Sequence, residues 1–536
     1  LATRLPVFGP PLAAALVFLL SAAVGAIAAD PDGQALRDRE ELAGYARDTW
    51  KSVAAMGDCA DLPVDALHFR GNGTWKPFEL TTPTDVGAYL WSVLAAERLK
   101  IIAPREARQR TERTLKSLER LRRAHGFLLD KLDPRTGTAL KTYPGGASPI
   151  PPIASSVDNG WLAAGLIMVR NAYPTLRDRA DSLLKPMDFG FFYAPYRADD
   201  PTHHPGQIRE PYWIDRQSFG GFNRIINTEQ RIVSYIGIAR GQVPPEHYYR
   251  VERTLKHTEC DQFQAPAGEI RTYFGIPVFE GHYTYRGMRI VPSWGGSMFE
   301  DLMVPLFVPE ERWAPRSWGV NHALYVRAQI EFGLNEAGYG YWGFSPASNP
   351  DGGYRTYGVD ALGSDPLGYG SGNDKTRTKS DQSTPQGRLK NGVVTPYASF
   401  LALRFAPREA LENLRKLRAN FNIYGDHGFM DAVNVSSGQV ADRVLILDQG
   451  MILAAIANAL ANDAMRAAFI DPESERVLRP LIAPEEFTAG LAPRAPATRP
   501  VSTRARPPND GPSKTVSHPP SADRPTAIVS PESTVQ

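Results

Sequence analysis

The sequence predicts an all-α fold, a toroid of helix pairs with a few short strands in its loops. Helical spacing of apolar residues recurs along most of the chain between residues 37 and 461. The segments also alternate in composition. Residues 160–169 and 445–459 are apolar nearly all round, as inner helices would be, whereas 114–125 and 408–420 are amphipathic, as outer helices would be. The loops between them are long and rich in Gly, Pro and aromatic residues, with no repeated signature. A helical solenoid shares the same alternation.

In chain order, residues 37–56 have helical spacing, and 84–99 follow with Thr82 or Thr84 as N-cap. Residues 104–125 form a charged amphipathic helix with Leu115, Leu118 and Leu121 on one side. Helical patterns continue over 157–171, 174–184, 225–240, 296–307, 321–332, 393–403, 407–419 and 445–461. Strand-like alternation is scarce outside 268–278 and the stretch around 340–356.

The ends of the chain read differently. Residues 1–28 have Arg4 ahead of an apolar run (12–24) and a small-x-small Ala26-Ile27-Ala28, the pattern of a secretory signal cleaved after Ala28, with an uncleaved membrane anchor as the alternative. Export to the periplasm or the outside, without stable membrane insertion after cleavage, is the expectation. Residues 494–536 are rich in Pro, Ser, Thr and Arg, and bury too little apolar surface to offset their ordering entropy. The catalytic domain is therefore expected over 29–493. A net charge of +2 on 536 residues implies no nucleic-acid partner. The two cysteines, Cys59 and Cys260, have no spacing that argues for pairing, and no His/Cys cluster suggests a metal.

Eight segments together resemble a known domain: TTPTDVGAYLWSVLAAERL (81–99), SSVDNGWLAAGL (155–166), INTEQRIVSYIGIARGQVPPEHY (226–248), WGGSMFEDLMVPLFV (294–308), YWGFSPASNPDGGYRTYG (341–358), VVTPYASFLALRFAPREAL (393–411), YGDHGFMDAVN (424–434) and LDQGMILAAI (447–456). In identity and order they resemble the glucoamylase-like domain of bacterial β-1,2-glucan-active enzymes, namely the glycoside hydrolase family 144 endo-β-1,2-glucanases and the related domain of cyclic β-1,2-glucan synthases. The resemblance implies an (α/α)6 barrel with a cleft at one end. It also implies cleavage or transfer at a glycosidic bond of a poly- or oligosaccharide, with no metal or organic cofactor.

Such chemistry needs one carboxyl to protonate the departing oxygen and a second group to activate water or attack the sugar. Burial raises the pKa of the acid, so acids in apolar surroundings are the ones to find. Glu229 opens an apolar stretch. Its residue-level reading is a first-turn glutamate favouring the helix dipole, and the resemblance makes it the general acid. Glu300 follows Trp294-Gly295-Gly296 and is either a cleft acid or structural, while Asp301 reads as a structural partner of a nearby Arg or backbone amide. Asp158 and Asp85 read as caps, which the resemblance places at the cleft. Asp431 and Asp448 are two further candidates for the base, with an inert structural role as the alternative. Trp294, Trp318, Tyr341, Trp342, Tyr354 and Tyr357 could floor sugar subsites or pack the core, and Arg355 could bind hydroxyls. The polar insert 363–391 reads as a loop at the rim. The synthase branch carries a glutamate after the serine of WGFSPASNP, where this chain has Ser345-Pro346. That departure favours an inverting hydrolase over a transferase, with a non-catalytic polysaccharide-binding protein as the remaining alternative.

Overall fold

The computed structural model describes residues 31–71, 73–255, 264–364 and 392–491. The expected leader and tail, Cys260 and most of the 363–391 insert lie outside them. The Cys59 thiol donates to the Ala55 carbonyl at 3.1 Å.

The main helices are α1 (Pro31–Asp58), α2 (Pro83–Arg98), α3 (Pro104–Glu119), α4 (Ser156–Ala172), α5 (Arg177–Leu184), α6 (Arg231–Ala239), α7 (Met298–Leu302), α8 (Trp318–Glu331), α9 (Pro396–Leu401), α10 (Pro407–Asn420), α11 (Ile446–Leu460), α12 (Ala464–Phe469) and α13 (Pro472–Ile482). Proline at the first position of α2, α3, α9, α10 and α13 costs no hydrogen bond there and fixes a helical φ.

Six of these helices touch in a closed order. Helix α2 packs on α4, α4 on α6, α7 on α9, α9 on α11, and α11 returns to α2. The remaining step, α6 to α7, is made by Arg231, which donates to the carbonyls of Glu300 and Asp301. Each of the six has a second helix against it: α3 on α2, α5 on α4, α13 on α6, α8 on α7, α10 on α9 and α1 on α11. Burial follows composition. Helices α2, α4 and α11 are buried on nearly every side, whereas α3 and α10 bury one stripe, Ala107, Thr111, Leu115 and Leu118 in the first and Ala410, Leu411, Leu414 and Leu417 in the second.

The tightest crossing is α2 on α4. A Cβ on Gly87 would lie 2.4 Å from the Trp161 carbonyl oxygen, and one on Gly165 would lie 3.0 Å from the Gly87 Cα. Only backbone fits at this contact. We expect Gly87→Ala to cost ~1–3 kcal/mol through forced separation of the two helices, read as a lower midpoint in urea unfolding.

Strands are more numerous than the sequence pattern suggested, and three precede inner helices. Ile153–Ala154 runs into α4 and pairs with Gln207–Trp213, which also pairs with Ser218–Phe222. Val393–Val394 runs into α9 and pairs with Val433–Asn434. Arg443–Leu445 runs into α11 and pairs with Ala66–Phe69. These short ladders bring Glu210, Asp431 and Asp65 to the starts of inner helices. A longer hairpin, Ala267–Tyr273 with Ile276–Tyr285, overlaps the expected 268–278 strand region.

Two helices are shorter than their apolar patterns. The 296–307 segment is helical only over α7 and continues as a 3-10 turn, Val304–Leu306, because Pro305 supplies no backbone N–H. The 225–240 segment turns helical at Arg231, so Glu229 lies just before α6 rather than in its first turn.

Candidate active site

Four of the six inner helices carry an acid at the same place, the third residue: Asp85 in α2, Asp158 in α4, Glu300 in α7 and Asp448 in α11. In three of them a hydroxyl residue three positions earlier is the N-cap. Thr82, Ser155 and Ser297 accept from the backbone N–H of Asp85 (3.1 Å), Asp158 (3.0 Å) and Glu300 (3.3 Å). The capping motif Ser/Thr-x-x-Asp/Glu normally spends its acid on the cap's own N–H. Asp85 does so, accepting from Thr82 N–H at 2.7 Å. Asp158 instead accepts from the Thr84 hydroxyl at 2.7 Å, and Glu300 accepts from the Glu229 N–H at 2.9 Å. Those two carboxylates are thus aimed at neighbouring segments. Asp158 is not itself the N-cap, as its position before an apolar run had suggested, because Ser155 takes that place.

These acids form a connected arc. Glu229 is half-buried and receives the Trp161 indole N–H. Burial, then the neighbouring Glu300 charge, pushes its carboxyl well above the ordinary glutamate range. Burial pushes Glu300 up to about 7, against the pull of the Glu229 amide and Arg231. Glu210 accepts from the Ser156 and Val157 amides at 2.6 and 3.3 Å, and from the Ser156 hydroxyl. Burial lifts it to about 7 despite those bonds. Asp130 is lifted by burial to about 6 although Lys131 lies 3.0 Å away. At the other end of the arc, burial and the Asp431 carboxyl beside it hold Asp448 well above its usual range. Asp85 is raised by burial and by Asp65, and burial raises Asp65 itself to about 6. Asp431 accepts from Ser348 N–H at 2.6 Å, and the Asp448 carboxyl lies beside it. A cluster of acids able to hold a proton near neutral pH is equipped for general acid catalysis.

The glycine loop ahead of α7 is set by close backbone contact. Gly295 and Gly296 have φ of 57° and 72°, and a Cβ on Gly296 would lie 1.9 Å from the Val359 carbonyl oxygen. Ser345 Oγ accepts from Phe299 N–H at 2.9 Å, and the Tyr397 hydroxyl donates to the Pro346 carbonyl at 2.8 Å. Ser345-Pro346 therefore buttresses the helix that carries Glu300.

The aromatic expectations divide. Trp294 is half-buried at the head of the glycine loop. Tyr354 is exposed and Arg355 half-buried on a two-stranded ladder whose partner strand holds Ser348, the donor to Asp431. Trp318 and Trp342, by contrast, are core. Trp318 is fully buried, donates to the Tyr248 hydroxyl at 2.9 Å and stacks on His322. Trp342 is 2% exposed, with its backbone tied to Asn413. Tyr357 is buried in a small satellite cluster with Ala347, Val393, Ala432 and Ala441. Tyr341 packs on Phe421, and its hydroxyl accepts from Asn420 at the end of the outer helix α10. Aromatic rings carry the same sequence signal in a core as in a cleft, so composition could not separate these cases. Asp301 is buried support: its carboxylate takes the Asn321 side-chain amide and His322, and its backbone carbonyl accepts from Arg231.

Sequence reasoning passed over Asp65, Asp130, Lys131, Glu210, Arg231, Glu310 and His322. Glu210 sits in a strand with no local mark of function, and its partners are 53 and 54 residues away. The recurrence of Ser/Thr-x-x-Asp/Glu before apolar helices at 82, 155 and 297 marks Asp85, Asp158 and Glu300 and none of these seven. A cavity of about 550 Å³ lined by Tyr196, Gln207, Arg250, Glu252 and Phe279 contains none of these acids.

Residues 269–470 match the family described as "Putative glucoamylase", and residues 72–190 match a protein family of unknown function, DUF3131. The chain is 29% identical over 343 residues to the cyclic β-(1,2)-glucan synthase NdvB of Rhizobium meliloti (strain 1021). That match covers 61% of this chain and only 10% of the relative, so the chain spans about a tenth of the curated relative's length. Among solved structures, the endo-β-1,2-glucanase of Chitinophaga pinensis in complex with sophorotriose and glucose is similar at TM-score 0.58 and 16% identity, covering 83% of this chain and 98% of that one. The β-1,2-glucanase of Parabacteroides distasonis is similar at TM-score 0.60 and 15% identity, covering 84% and 60%. Residues 269–470 are thus similar to a glucoamylase-like family, and the helix-rich fold is similar to that of the endo-β-1,2-glucanases.

Proposed function

We propose that this protein is a glycoside hydrolase that cleaves a β-1,2-glucan internally, with inversion, in a cleft at one end of an (α/α)6 barrel. The closed order of six inner helices, each backed by an outer one, supports the barrel. The observation that carries the activity is the arc of acids at the inner-helix N-termini, with Glu229 held protonated by burial and by Glu300. Glu229 donates its proton to the departing glycosidic oxygen. Drawing the proton from the attacking water falls to the neighbouring carboxyls Asp431 and Asp448. Asp158 and Asp85 line the cleft between them, where they accept from sugar hydroxyls. Pro346 puts no ionisable group where the synthase branch has its glutamate, which supports hydrolysis over transfer. The signal-like pattern of residues 1–28 supports export, and with it an activity in the cell envelope or outside it.

Incubation with linear β-1,2-glucan and with β-1,3- and β-1,4-glucans tests the assignment. Short β-1,2 oligosaccharides whose new reducing ends first appear as the α-anomer in NMR are expected. Altered chain lengths at constant reducing-end number would replace hydrolysis by transfer, and binding without products would make the protein a polysaccharide binder. Asp448→Asn is expected to lower kcat about 100-fold or more with KM little changed.

A further inference from the structure

Glu229 and Glu300 lie on different stretches of chain, yet the Glu229 amide sits on the Glu300 carboxylate. What holds them together is a buried charge used by no step above. Arg231 is 2% exposed. Its Nη1 donates to the carbonyls of Thr228 (2.8 Å) and Glu300 (2.9 Å), and its Nη2 to the Asp301 carbonyl (2.6 Å) and Glu310 Oε2 (3.0 Å). Nε donates to Glu310 Oε1 at 2.8 Å, so all five guanidinium N–H groups are engaged. The guanidinium lies over the Trp318 ring at 4.6 Å, which excludes water from that face. Glu310 also accepts from the Tyr235 hydroxyl at 2.7 Å. His322 bridges Glu310 Oε2 (3.3 Å) and Asp301 Oδ2 (3.1 Å).

We propose that Arg231 is the positioning residue of the acid centre, holding the Glu229 amide on the Glu300 carboxylate by clamping the carbonyls of Thr228, Glu300 and Asp301 from one guanidinium whose charge Glu310 balances. It touches no reacting atom and acts through the two glutamates. The clamped residues are the one before Glu229, Glu300 itself and the one after it, so a small loosening alters the spacing of the two acids. A lysine keeps the charge, but its three donors on one nitrogen cannot reach three carbonyls and a carboxylate together. The inference rests on Glu229 being the proposed acid, and its test separates the two.

In Arg231→Lys, the repulsion between Glu300 and Glu229 weakens, so Glu229 ionises at lower pH. The alkaline limb of kcat on β-1,2-glucan is expected to move down by about one pH unit. The kcat itself is expected to fall on the order of 100-fold at little change in KM. A role in folding alone would lower the unfolding midpoint and leave the limb where it was. Glu310→Gln keeps the side-chain volume and is expected to shift the limb in the same direction by less; it carries the test if Arg231→Lys does not fold. Independently of activity, carboxyl ¹³C NMR of glutamate-labelled protein, assigned with Glu229→Gln and Glu300→Gln, reads the Glu229 midpoint directly. A lowered midpoint in the variants supports the clamp even if no glucan is cleaved, in which case only the acid assignment fails. An unmoved midpoint in folded variants overturns the clamp even in an active enzyme.

Discussion

Glu229→Gln is expected to reduce cleavage of β-1,2-glucan by about 10²–10⁴-fold while leaving the fold and substrate binding intact. Glutamine has nearly the same volume and keeps an oxygen to accept the Trp161 indole N–H. The bond to Glu300 comes from the Glu229 backbone and survives the change. What is lost is the dissociable proton. Initial rates of reducing-end release, set beside affinity for a glucan oligomer by calorimetry, separate chemistry from binding; full activity would remove Glu229 from the mechanism. The companion substitution Glu300→Gln has a signed effect on pH dependence. Because the Glu300 charge raises the Glu229 pKa, neutralising it lets Glu229 ionise at lower pH, and the alkaline limb moves down.

Glu310→Ala is expected to cost about 3–5 kcal/mol, because it leaves a buried guanidinium without its counter-charge. Arg231 loses two of its hydrogen bonds, Tyr235 its acceptor and His322 one of its two carboxylates. Urea unfolding followed by circular dichroism gives the value; a loss within about 1 kcal/mol, the range of exposed pairs, would mean that the pair contributes little. The same cluster fixes a pH window. Arg231 and His322 overcome burial and hold Glu310 down at about 2, below its usual 4.5, so its contribution is present above 4.5 and is lost as pH falls toward 2. Asp301 and Glu310 overcome burial and lift His322 to about 9, above its usual 6.5, so its contribution is complete below 6.5 and is lost as pH rises through 9. Glu300 and Glu210, lifted to about 7, favour the folded state less as pH rises from 4.5 to 7. Thermal midpoints measured across this range should fall at both extremes.

Local chemistry was legible in the chain. The helices, their Pro and Thr starts, the fully apolar inner segments and the one-striped outer ones follow from patterns within a few residues. The Gly295-Gly296 loop was legible as a close backbone approach, and the structure supplies Val359 as its partner. Glu300 and Asp448 could be found because each stands in an apolar run, whereas Asp85 and Asp158 stand ahead of one and read as caps without the resemblance.

Tertiary structure decided which of those acids meet, and what they meet. Asp65 reaches Asp448 only because the strand beside it pairs with the strand that opens α11. Arg231 clamps residues 69 and 70 positions away and pairs with Glu310, 79 away, with no sequence mark linking them. Trp318 and Trp342 looked like subsite aromatics and proved to be core, since a ring's exposure depends on neighbours from other helices. Hydrogen bonds that close within a turn are written locally in the residue order. Burial, and the shifts in proton affinity that follow from it, arise from atoms that only the packed molecule brings together.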